Sequence, residues 1–331
     1  MRISILGVGR LGASHAATLA ALPGVSRVTV YDADAARAKD IATPLQAKVA
    51  ATIDEAFKEA DAMVIVTPTP THAPLMKRAI DQGLPTFCEK PIAMELAETR
   101  DVVDHVARKG GVLQIGFQRR FDPGYLRARS ELREGALGPV YSFLMVSCDR
   151  LPPPDAYIKT SGGQFKDQFI HDFDITRWLF DQEVTEVTAL GSTKGLPQYE
   201  ALNDTATSAV LLKLADGTLG LMTALRHNEA GYDIHLEIHA AKDTLAIGID
   251  PRTPWRSVEA DAPPFASPPY PTFQVRFAEA YAAELAHFLK LAQGQAENPC
   301  TAADGLEALR IAEAAGRSWH EHRPVALAEI L

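Results

Sequence analysis

The sequence GVGRLG at residues 7–12 constrains the fold of this chain more than any other feature. It joins a short apolar run, residues 3–6, to an alanine-rich helical pattern at residues 13–22. A strand, a glycine turn and a helix in this order form a dinucleotide site. The first glycine permits the turn, the second lets the backbone approach a pyrophosphate, and the third lets the helix pack closely on the strand. Three glycines also occur in flexible loops, so the motif alone leaves that second interpretation open.

Asp32 favours the dinucleotide interpretation, because it follows a second apolar run and lies twenty residues beyond Gly12, where an acid that reads the ribose is expected. A carboxylate at this position accepts hydrogen bonds from both ribose hydroxyls. It also repels the 2′-phosphate of NADP, and the nearest basic residue after it is Arg37. The sequence therefore predicts a preference for NAD. An aspartate that caps a helix over residues 33–42 is an alternative role for the same side chain.

The composition indicates an ordinary globular enzyme of two domains, with 331 residues, 47% hydrophobic and 23% charged. The formal net charge of -9 argues against a surface for nucleic acid or anionic membrane, since both need clustered Lys and Arg. Neither a signal peptide nor an apolar run of about eighteen residues is seen, so we expect a cytoplasmic protein that does not span a membrane. Cys88, Cys148 and Cys300 are too far apart for a zinc site, so we expect buried thiols and no metal.

From residue 1 to about residue 120, short apolar runs alternate with helical patterns. Such alternation builds right-handed crossovers and a doubly wound parallel sheet of the Rossmann type, with helices on both faces. We therefore assign residues 1–120 to an NAD-binding domain. The predicted strands cover residues 3–6, 28–31, 62–66, 86–88 and 112–116, and the predicted helices cover residues 10–22, 33–42, 53–60, 71–82 and 94–109.

After residue 124 strand-like runs follow one another directly, which is typical of a mostly antiparallel sheet, and Asp216-Gly217 marks a hairpin turn. We assign residues 121–331 to an α+β domain with a large open sheet for substrate binding and oligomerisation. Its last helix, near residues 301–320, is a candidate to pack back on the first domain. The predicted strands cover residues 140–148, 184–192, 205–214, 219–225, 232–240 and 244–249, the predicted helices cover residues 124–135, 167–180, 273–292 and 301–320, and prolines cluster at residues 151–155 and 263–271.

The tripeptide Glu89-Lys90-Pro91 lies at the carboxyl end of the fourth predicted strand, residues 86–88, where open α/β sheets bind their ligands. A lysine held there can donate a hydrogen bond to a substrate hydroxyl or carbonyl. Proline lowers the cost of a cis peptide, which is one way to fix Lys90 in an unusual direction. A solvated surface lysine is the alternative interpretation.

Asp167 and His171 are four residues apart, so a helix from residue 167 would place them on one face. The carboxylate could then orient the imidazole and stabilise its protonated form, which makes an acid/base pair. Asp174 could reach the same face, whereas Asp172 points elsewhere and is expected to be a surface charge. A pair on an exposed helix is the alternative, but preceding glycines and flanking aromatic residues favour a site.

Six segments together resemble the glucose-fructose oxidoreductase and inositol 2-dehydrogenase family, and the resemblance runs nearly from end to end. Two of them, GFQRRFDPGY and AGYDIHLEIHAAK, are most similar to the inositol 2-dehydrogenase branch. The segments are GVGRLG with Asp32, VTPTPTH at residues 66–72, CEKP at 88–91, GFQRRFDPGY at 116–125, FKDQFIHDFDITRWL at 165–179 and AGYDIHLEIHAAK at 230–242.

The resemblance implies a role for each matching residue. The catalytic residues would be Lys90, Asp167 and His171. Substrate hydroxyls would bind to Arg119, Asp149 and Tyr232 together with those three. The cofactor would be NAD, held by Gly7, Gly9, Arg10, Leu11 and Gly12 at the pyrophosphate, Asp32 and Arg37 at the adenosine, and Thr67, Pro68, His72, Glu89 and Lys90 on the nicotinamide side.

The implied activity is NAD-dependent oxidation of a secondary ring hydroxyl of an inositol or related polyol to a ketone. His171, assisted by Asp167, would take the hydroxyl proton, and Lys90 would hydrogen-bond the same oxygen. The segment from Asp149 to Leu151 and the residue Ala230 depart from the usual inositol pattern, so the particular polyol stays open. A dehydrogenase of another sugar, redox-assisted glycoside cleavage and a sensor of NAD and sugar without turnover are the alternatives. The resemblance also implies dimers or tetramers built sheet to sheet.

Overall fold

A computed structural model describes residues 1–261 and 267–331, and its two compact units do not follow a single division of the sequence. The first unit comprises Met1–Phe121 and Glu279–Glu307, and the second comprises Asp122–Ala278 and Ala308–Leu331. The chain therefore passes between the units three times. Pro263 and Pro264 of the second proline cluster lie outside the described residues.

The first 121 residues contain six strands in the order β3-β2-β1-β4-β5-β6, every neighbouring pair of which is parallel. The predicted doubly wound sheet is confirmed. Only the two-residue strand β3 was not predicted. The elements are β1 (Arg2–Leu6), α1 (Arg10–Ala21), β2 (Arg27–Tyr31), α2 (Ala35–Leu45), β3 (Lys48–Val49), α3 (Ile53–Lys58), β4 (Ala62–Ile65), α4 (His72–Asp81), β5 (Thr86–Glu89), α5 (Leu96–Lys109) and β6 (Leu113–Gly116), with 3-10 turns at Thr69–Thr71 and Gln118–Phe121.

The rest of the chain contains seven strands in the order β12-β11-β7-β10-β9-β8-β13, and only the β7–β10 pair is parallel among the described residues. The predicted mostly antiparallel sheet is confirmed. The elements are α6 (Pro123–Arg133), β7 (Val140–Cys148), α7 (Asp155–Ile158), α8 (Gln164–Asp167), α9 (Ile170–Phe180), β8 (Val184–Ser192), β9 (Thr207–Leu214), β10 (Leu219–Leu225), β11 (Asp233–Ala240), β12 (Thr244–Ile247), α10 (Phe273–Arg276), α11 (Ala278–Ala292), α12 (Ala302–Glu321) and β13 (Val325–Ala326), with 3-10 turns at Pro197–Leu202 and Leu327–Glu329.

The helix predicted over residues 167–180 is interrupted, so that part of the prediction is wrong. Asp167 is the last residue of α8, and His171 lies in the first turn of α9. The backbone N–H of Phe169 donates to the carbonyl oxygen of Gln164, 3.1 Å away, which ends the short helix before the next one begins. The two side chains therefore do not lie on one continuous helix.

Helix α11 belongs to the first unit because its apolar side completes the core of the parallel sheet. Leu285 and Phe288 are fully buried in one cluster with Ile3, Val30 and Phe87. Beyond α11 the chain continues along the edge strand β6. There the backbone N–H of Ile115 donates to the carbonyl oxygen of Cys300 over 2.9 Å. Burial of this apolar surface is the main force that holds residues 279–307 in the first unit.

The sheet of the second unit buries one face and exposes apolar side chains on the other. On the buried face, the ring of Phe143 stacks on Phe180 of α9 with centroids 4.7 Å apart. On the other face, Leu221 of β10 lies opposite Leu211 of β9, and the two side chains are 45% and 53% exposed. Leu190 and Leu219 are exposed as well. We refer to Leu190, Leu211, Leu219 and Leu221 as the leucine face.

Within the described part of the chain, none of the helices combines the length and the apolar character that a membrane crossing requires.

Candidate functional site

The glycine turn after β1 leaves an open backbone surface in front of α1. Gly7 has a φ of +86°, a conformation that residues with a Cβ rarely adopt. A Cβ on Gly12 would collide with the carbonyl oxygen of Gly7, whereas a Cβ on Gly9 would meet nothing within 4 Å. Helix α1 begins at Arg10, so its first N–H groups point toward this open space. The turn therefore fits the pyrophosphate of a dinucleotide.

Asp32 is fixed beside this turn by backbone donors. Its Oδ2 accepts from the N–H of Val8 over 2.8 Å, and its Oδ1 accepts from the N–H of Asp34 over 2.9 Å. Asp34, and not Asp32, caps α2 by accepting from the N–H groups of Ala36 and Arg37. The alternative role of Asp32 as a helix cap is therefore wrong, and its carboxylate is oriented at the end of β2 where a ribose would bind.

Arg37 lies closer to Asp32 than the sequence spacing alone indicates. One guanidinium nitrogen is 3.4 Å from Oδ1 of Asp32, and another is 3.3 Å from Oδ2 of Asp34. The side chain of Arg37 is half exposed, so solvent screens both ion pairs. Arg37 therefore balances only part of the negative charge near the proposed adenosine position.

His72 connects the loop after β4 to the loop after β5. Its Nδ1 lies 2.8 Å from the carbonyl oxygen of Pro91, and its Nε2 lies 2.7 Å from the carbonyl oxygen of Thr67. Burial lowers the pKa of His72, and the two carbonyl oxygens oppose this effect. The Lys90–Pro91 peptide between these contacts is cis. His72 thus holds the backbone on both sides of the segment that carries Lys90.

Glu89 is buried at the end of β5 against a histidine that sequence reasoning did not single out. Its Oε1 lies 2.8 Å from Nε2 of His15, whose ring packs near those of Phe87 and Tyr281. A Cβ on Gly116 would come within 3.0 Å of the Glu89 carboxyl group. The available signal was a histidine on the buried side of the alanine-rich helix α1.

Asp167 is held at both carboxylate oxygens in the second unit. The hydroxyl of Tyr157 donates to Oδ1 over 2.8 Å, and Nη1 of Arg226 donates to Oδ2 over 2.7 Å. The same Nη1 lies 3.8 Å from Oδ2 of Asp149, so one guanidinium connects two predicted site residues. This arrangement fixes the carboxylate of Asp167, which lies four residues before His171 in sequence.

Asp172 and Asp174 are both 1% exposed, so the expectation that Asp172 is a surface charge is wrong. Oδ1 of Asp172 accepts from the hydroxyl of Ser147 on β7 over 2.8 Å. The reason is that α9 is buried around most of its circumference and leaves few solvent-facing positions. His171 is only partly exposed.

The remaining predicted residues divide between the two units. Lys90 and Arg119 belong to the first unit, and Arg119 is 3% exposed in the turn after β6. Asp149 and Tyr232 belong to the second unit with Asp167 and His171. Asp149 follows β7, and its backbone carbonyl accepts from Asn228 over 2.8 Å, while the N–H of Tyr232 donates to Tyr270 over 2.9 Å.

Arg226 is the charged residue near Asp167 that the sequence did not reveal. It follows β10, and its side chain is 2% exposed. Burial alone would lower the pKa of Arg226, but the carboxylates of Asp167 and Asp149 raise it, so the guanidinium stays charged. The available signal was a basic residue directly after an apolar strand.

Comparison with known proteins assigns the family. Residues 1–117 match the "Oxidoreductase family, NAD-binding Rossmann fold", and residues 125–246 match the "GFO/IDH/MocA C-terminal domain". An inositol 2-dehydrogenase of Rhizobium meliloti strain 1021 is 36% identical over 331 residues, which covers 99% of both proteins.

Two solved structures extend the likeness to the fold. A myo-inositol dehydrogenase from Corynebacterium glutamicum has a TM-score of 0.90 at 33% identity, covering 99% of this chain and 98% of that one. A scyllo-inositol dehydrogenase from Lactobacillus casei, solved with NAD(H) and scyllo-inositol, has a TM-score of 0.88 at 27% identity, covering 99% of both chains. The chain therefore belongs to the oxidoreductase family with an NAD-binding Rossmann fold that includes inositol 2-dehydrogenase, as its motifs indicate.

Proposed function

We propose that this protein is an NAD-dependent dehydrogenase that oxidises a secondary ring hydroxyl of an inositol or closely related polyol to a ketone. The observation that carries this proposal is the carboxylate of Asp167, which Tyr157 and Arg226 fix four residues before His171 in sequence. A carboxylate oriented by two donors can hold a histidine and stabilise its protonated form in general acid/base catalysis. Relatives named inositol 2-dehydrogenase cover the chain from end to end.

The residues around the glycine turn suit NAD. The N–H groups at the start of α1 would bind the pyrophosphate, and the carboxylate of Asp32 would accept from the ribose hydroxyls. When bound, NAD supplies the acceptor for the hydride that leaves the substrate carbon. Thr67, His72 and Glu89 would shape the nicotinamide end of the site.

In the proposed reaction, His171 takes the proton of the substrate hydroxyl while Asp167 stabilises the resulting imidazolium. Lys90 donates a hydrogen bond to the same oxygen and stabilises the negative charge that develops on it. Arg119, Asp149 and Tyr232 would bind the other hydroxyls. The products are a ketone, the reduced cofactor and one proton. His171 holds this proton and then passes it to solvent.

We also propose that the protein works as a homo-oligomer, as a dimer or a tetramer, in the cytoplasm. The leucine face supports the first part, because contiguous exposed apolar surface favours association, and a second copy of the same sheet is a complementary partner. The three cysteines support the second part. All are buried and free, as is usual for thiols in a reducing compartment.

The test is an absorbance assay for NADH formation with purified protein, NAD and a panel of inositol isomers and aldoses at about pH 9, where a histidine is neutral. We expect turnover with at least one inositol, and loss of it in the variant His171→Ala. Binding of NAD and polyol without turnover by the wild-type protein would support a sensor instead. Turnover of an aldose alone would support a sugar dehydrogenase, and cleavage of a glycoside in the presence of NAD would support redox-assisted glycoside chemistry.

A further inference from the structure

The guanidinium of Arg226 is an unusual feature of the second unit, since a buried cation is costly unless its partners fix it well. Nη1 is 2.7 Å from Oδ2 of Asp167 and 3.8 Å from Oδ2 of Asp149. Nε and Nη2 are buried and have no hydrogen-bond partner among the described residues. Stability alone does not account for this cation, because well-packed apolar groups commonly replace buried ion pairs without loss.

The interruption between α8 and α9 shows why such a cation would be useful. Asp167 ends α8, so the regular spacing of a helix does not set its direction relative to His171. Its orientation depends instead on the two donors, Tyr157 at Oδ1 and Arg226 at Oδ2. With both oxygens engaged, the carboxylate cannot turn freely about its terminal bond.

The charges that surround Arg226 come from several elements. Asp167 lies on α8, Asp149 follows β7, and Asp204 and Tyr199 lie at or after the 3-10 turn Pro197–Leu202. Three carboxylates near one guanidinium leave this cluster net negative. A positive charge at its centre favours the ionised state of the nearest carboxylate, which is Asp167.

We propose that Arg226 is a positioning residue for the acid/base pair, because it holds the carboxylate of Asp167 in the orientation that supports His171. The inference rests on the function proposed above and assigns Arg226 no contact with substrate. Lysine could supply the charge, but its flexible ammonium loses more side-chain freedom for each hydrogen bond than the preorganised planar guanidinium does. Tyr157 would contribute orientation without charge.

The experiment compares kcat, KM and the pH profile of kcat/KM in Arg226→Gln, Arg226→Lys and Tyr157→Phe. We expect Arg226→Gln to lower kcat by about 10- to 100-fold, by analogy with the loss found when a group that orients a metal-ligating side chain is removed. KM for NAD should stay unchanged. The acid limb of the profile should move to higher pH, because loss of a positive charge stabilises imidazolium, whereas Asp167→Asn should move it to lower pH.

Arg226→Lys should have a higher kcat than Arg226→Gln, and the acid limb of its kcat/KM profile should lie at the wild-type pH. Tyr157→Phe should lower kcat without moving the acid limb of that profile. The matched control is Arg276→Gln, which removes another largely buried arginine of the second unit that pairs with Asp122 over 2.9 Å. If Arg226→Gln lost only thermal stability, as Arg276→Gln should, the positioning role would be wrong. If Arg226→Gln did not fold, the pH profile of Arg226→Lys and the kcat of Tyr157→Phe would decide.

The double variant Arg226→Gln/Asp167→Asn tests whether Arg226 acts through the carboxylate of Asp167. We expect it to be no slower than Asp167→Asn alone, because the arginine then has no carboxylate left to orient. If the loss of kcat in the double variant equalled the product of the losses in the two single variants, the proposal would be overturned. Wild-type protein with no turnover of any polyol would overturn both proposals, while normal turnover that is lost in His171→Ala but kept in Arg226→Gln would overturn this one only.

Discussion

Nε2 of His15 lies 2.8 Å from Oε1 of Glu89, and both side chains are buried, so the first helix and the fifth strand are joined by a polar contact inside the first unit. Glu89 directly precedes Lys90. The contact therefore supports the strand end at which the proposed catalytic lysine begins its loop.

Replacing His15 by Leu should destabilise the protein, because it leaves the carboxylate of Glu89 buried without this partner. We expect a loss of about 1–3 kcal/mol, read as a lower temperature of the thermal transition. The control is His105→Leu, which removes the contact of His105 with the half-exposed Asp81 and should cost at most about 1 kcal/mol. Equal losses in both variants would contradict the supporting role of His15.

Asp32 should make NAD the preferred cofactor by at least about tenfold in kcat/KM, since an unpaired charge against the phosphate of NADP costs on the order of 1–3 kcal/mol. Asp32→Ala should narrow that ratio. Arg37→Ala should widen it, because Arg37 balances part of the charge of Asp32 and Asp34. Equal kcat/KM values for NAD and NADP in the wild-type protein would show that Asp32 does not select the cofactor.

His171→Ala should lower kcat by about 10² to 10⁴-fold, which is the usual contribution of a placed proton acceptor. Asp167→Asn keeps the size of the side chain but removes its charge, so we expect a smaller loss together with a shifted pH profile. Binding of NADH, measured by its fluorescence, should be unchanged in both, because the proposed cofactor residues belong to the first unit.

Lys90→Ala should lower kcat/KM strongly, and Lys90→Arg should recover little of it, because a planar fork cannot replace a compact ammonium directed at one oxygen. Steady-state rates with the best polyol measure both effects. A near-native kcat in His171→Ala combined with complete loss in Lys90→Ala would make the lysine the proton acceptor.

The leucine face should hold copies of the chain together. Light scattering at micromolar concentration should detect a dimer or tetramer for the wild-type protein, and Leu211→Glu/Leu221→Glu should release smaller species, since opposite positions on two strands would both carry charge. Leu126→Glu is the matched control, as Leu126 is 47% exposed on α6 and does not belong to this face. A monomeric wild-type protein would refute the proposal.

The cysteines should be unreactive in the native protein. Burial raises the pKa of the Cys148 thiol to about 12, and burial also raises the pKa of Cys88 well above its ordinary value. The thiolate is the reactive form, so a thiol reagent at about pH 8 should label the native chain slowly and the unfolded chain quickly. Rapid native labelling at about pH 8 would contradict this, and labelling should rise only as the pH approaches the raised values.

The parallel sheet and most of the second sheet were predictable, because their strands are apolar runs bounded by turns, and several bounds agree to the residue. The two-residue strands β3 and β13 were not, since so short a segment has no periodicity to read. Contacts that no local pattern encodes account for the differences that remain. Asp34 caps helix α2, a role that the sequence also allowed for Asp32. The backbone hydrogen bond from Phe169 to Gln164 ends α8 before His171.

The proposed site shows the same division between local and distant information. Lys90, Asp167 and His171 stand in motifs that sequence reading can find. The isolated residues His15 and Arg226 become meaningful only when folding brings them beside Glu89 and Asp167. A single polar residue next to an apolar segment forms no local sequence pattern, so its role becomes clear only when the structure shows its partner.

The return of residues 279–307 to the first unit has a consequence for biosynthesis. The core of that unit includes Leu285 and Phe288, which leave the ribosome long after the six strands of the parallel sheet. Residues as late as Glu307 must be translated before this unit can close, even though a growing chain can usually complete its amino-terminal domain early. The nascent chain therefore exposes an incomplete apolar surface until residues 279–307 have left the ribosome.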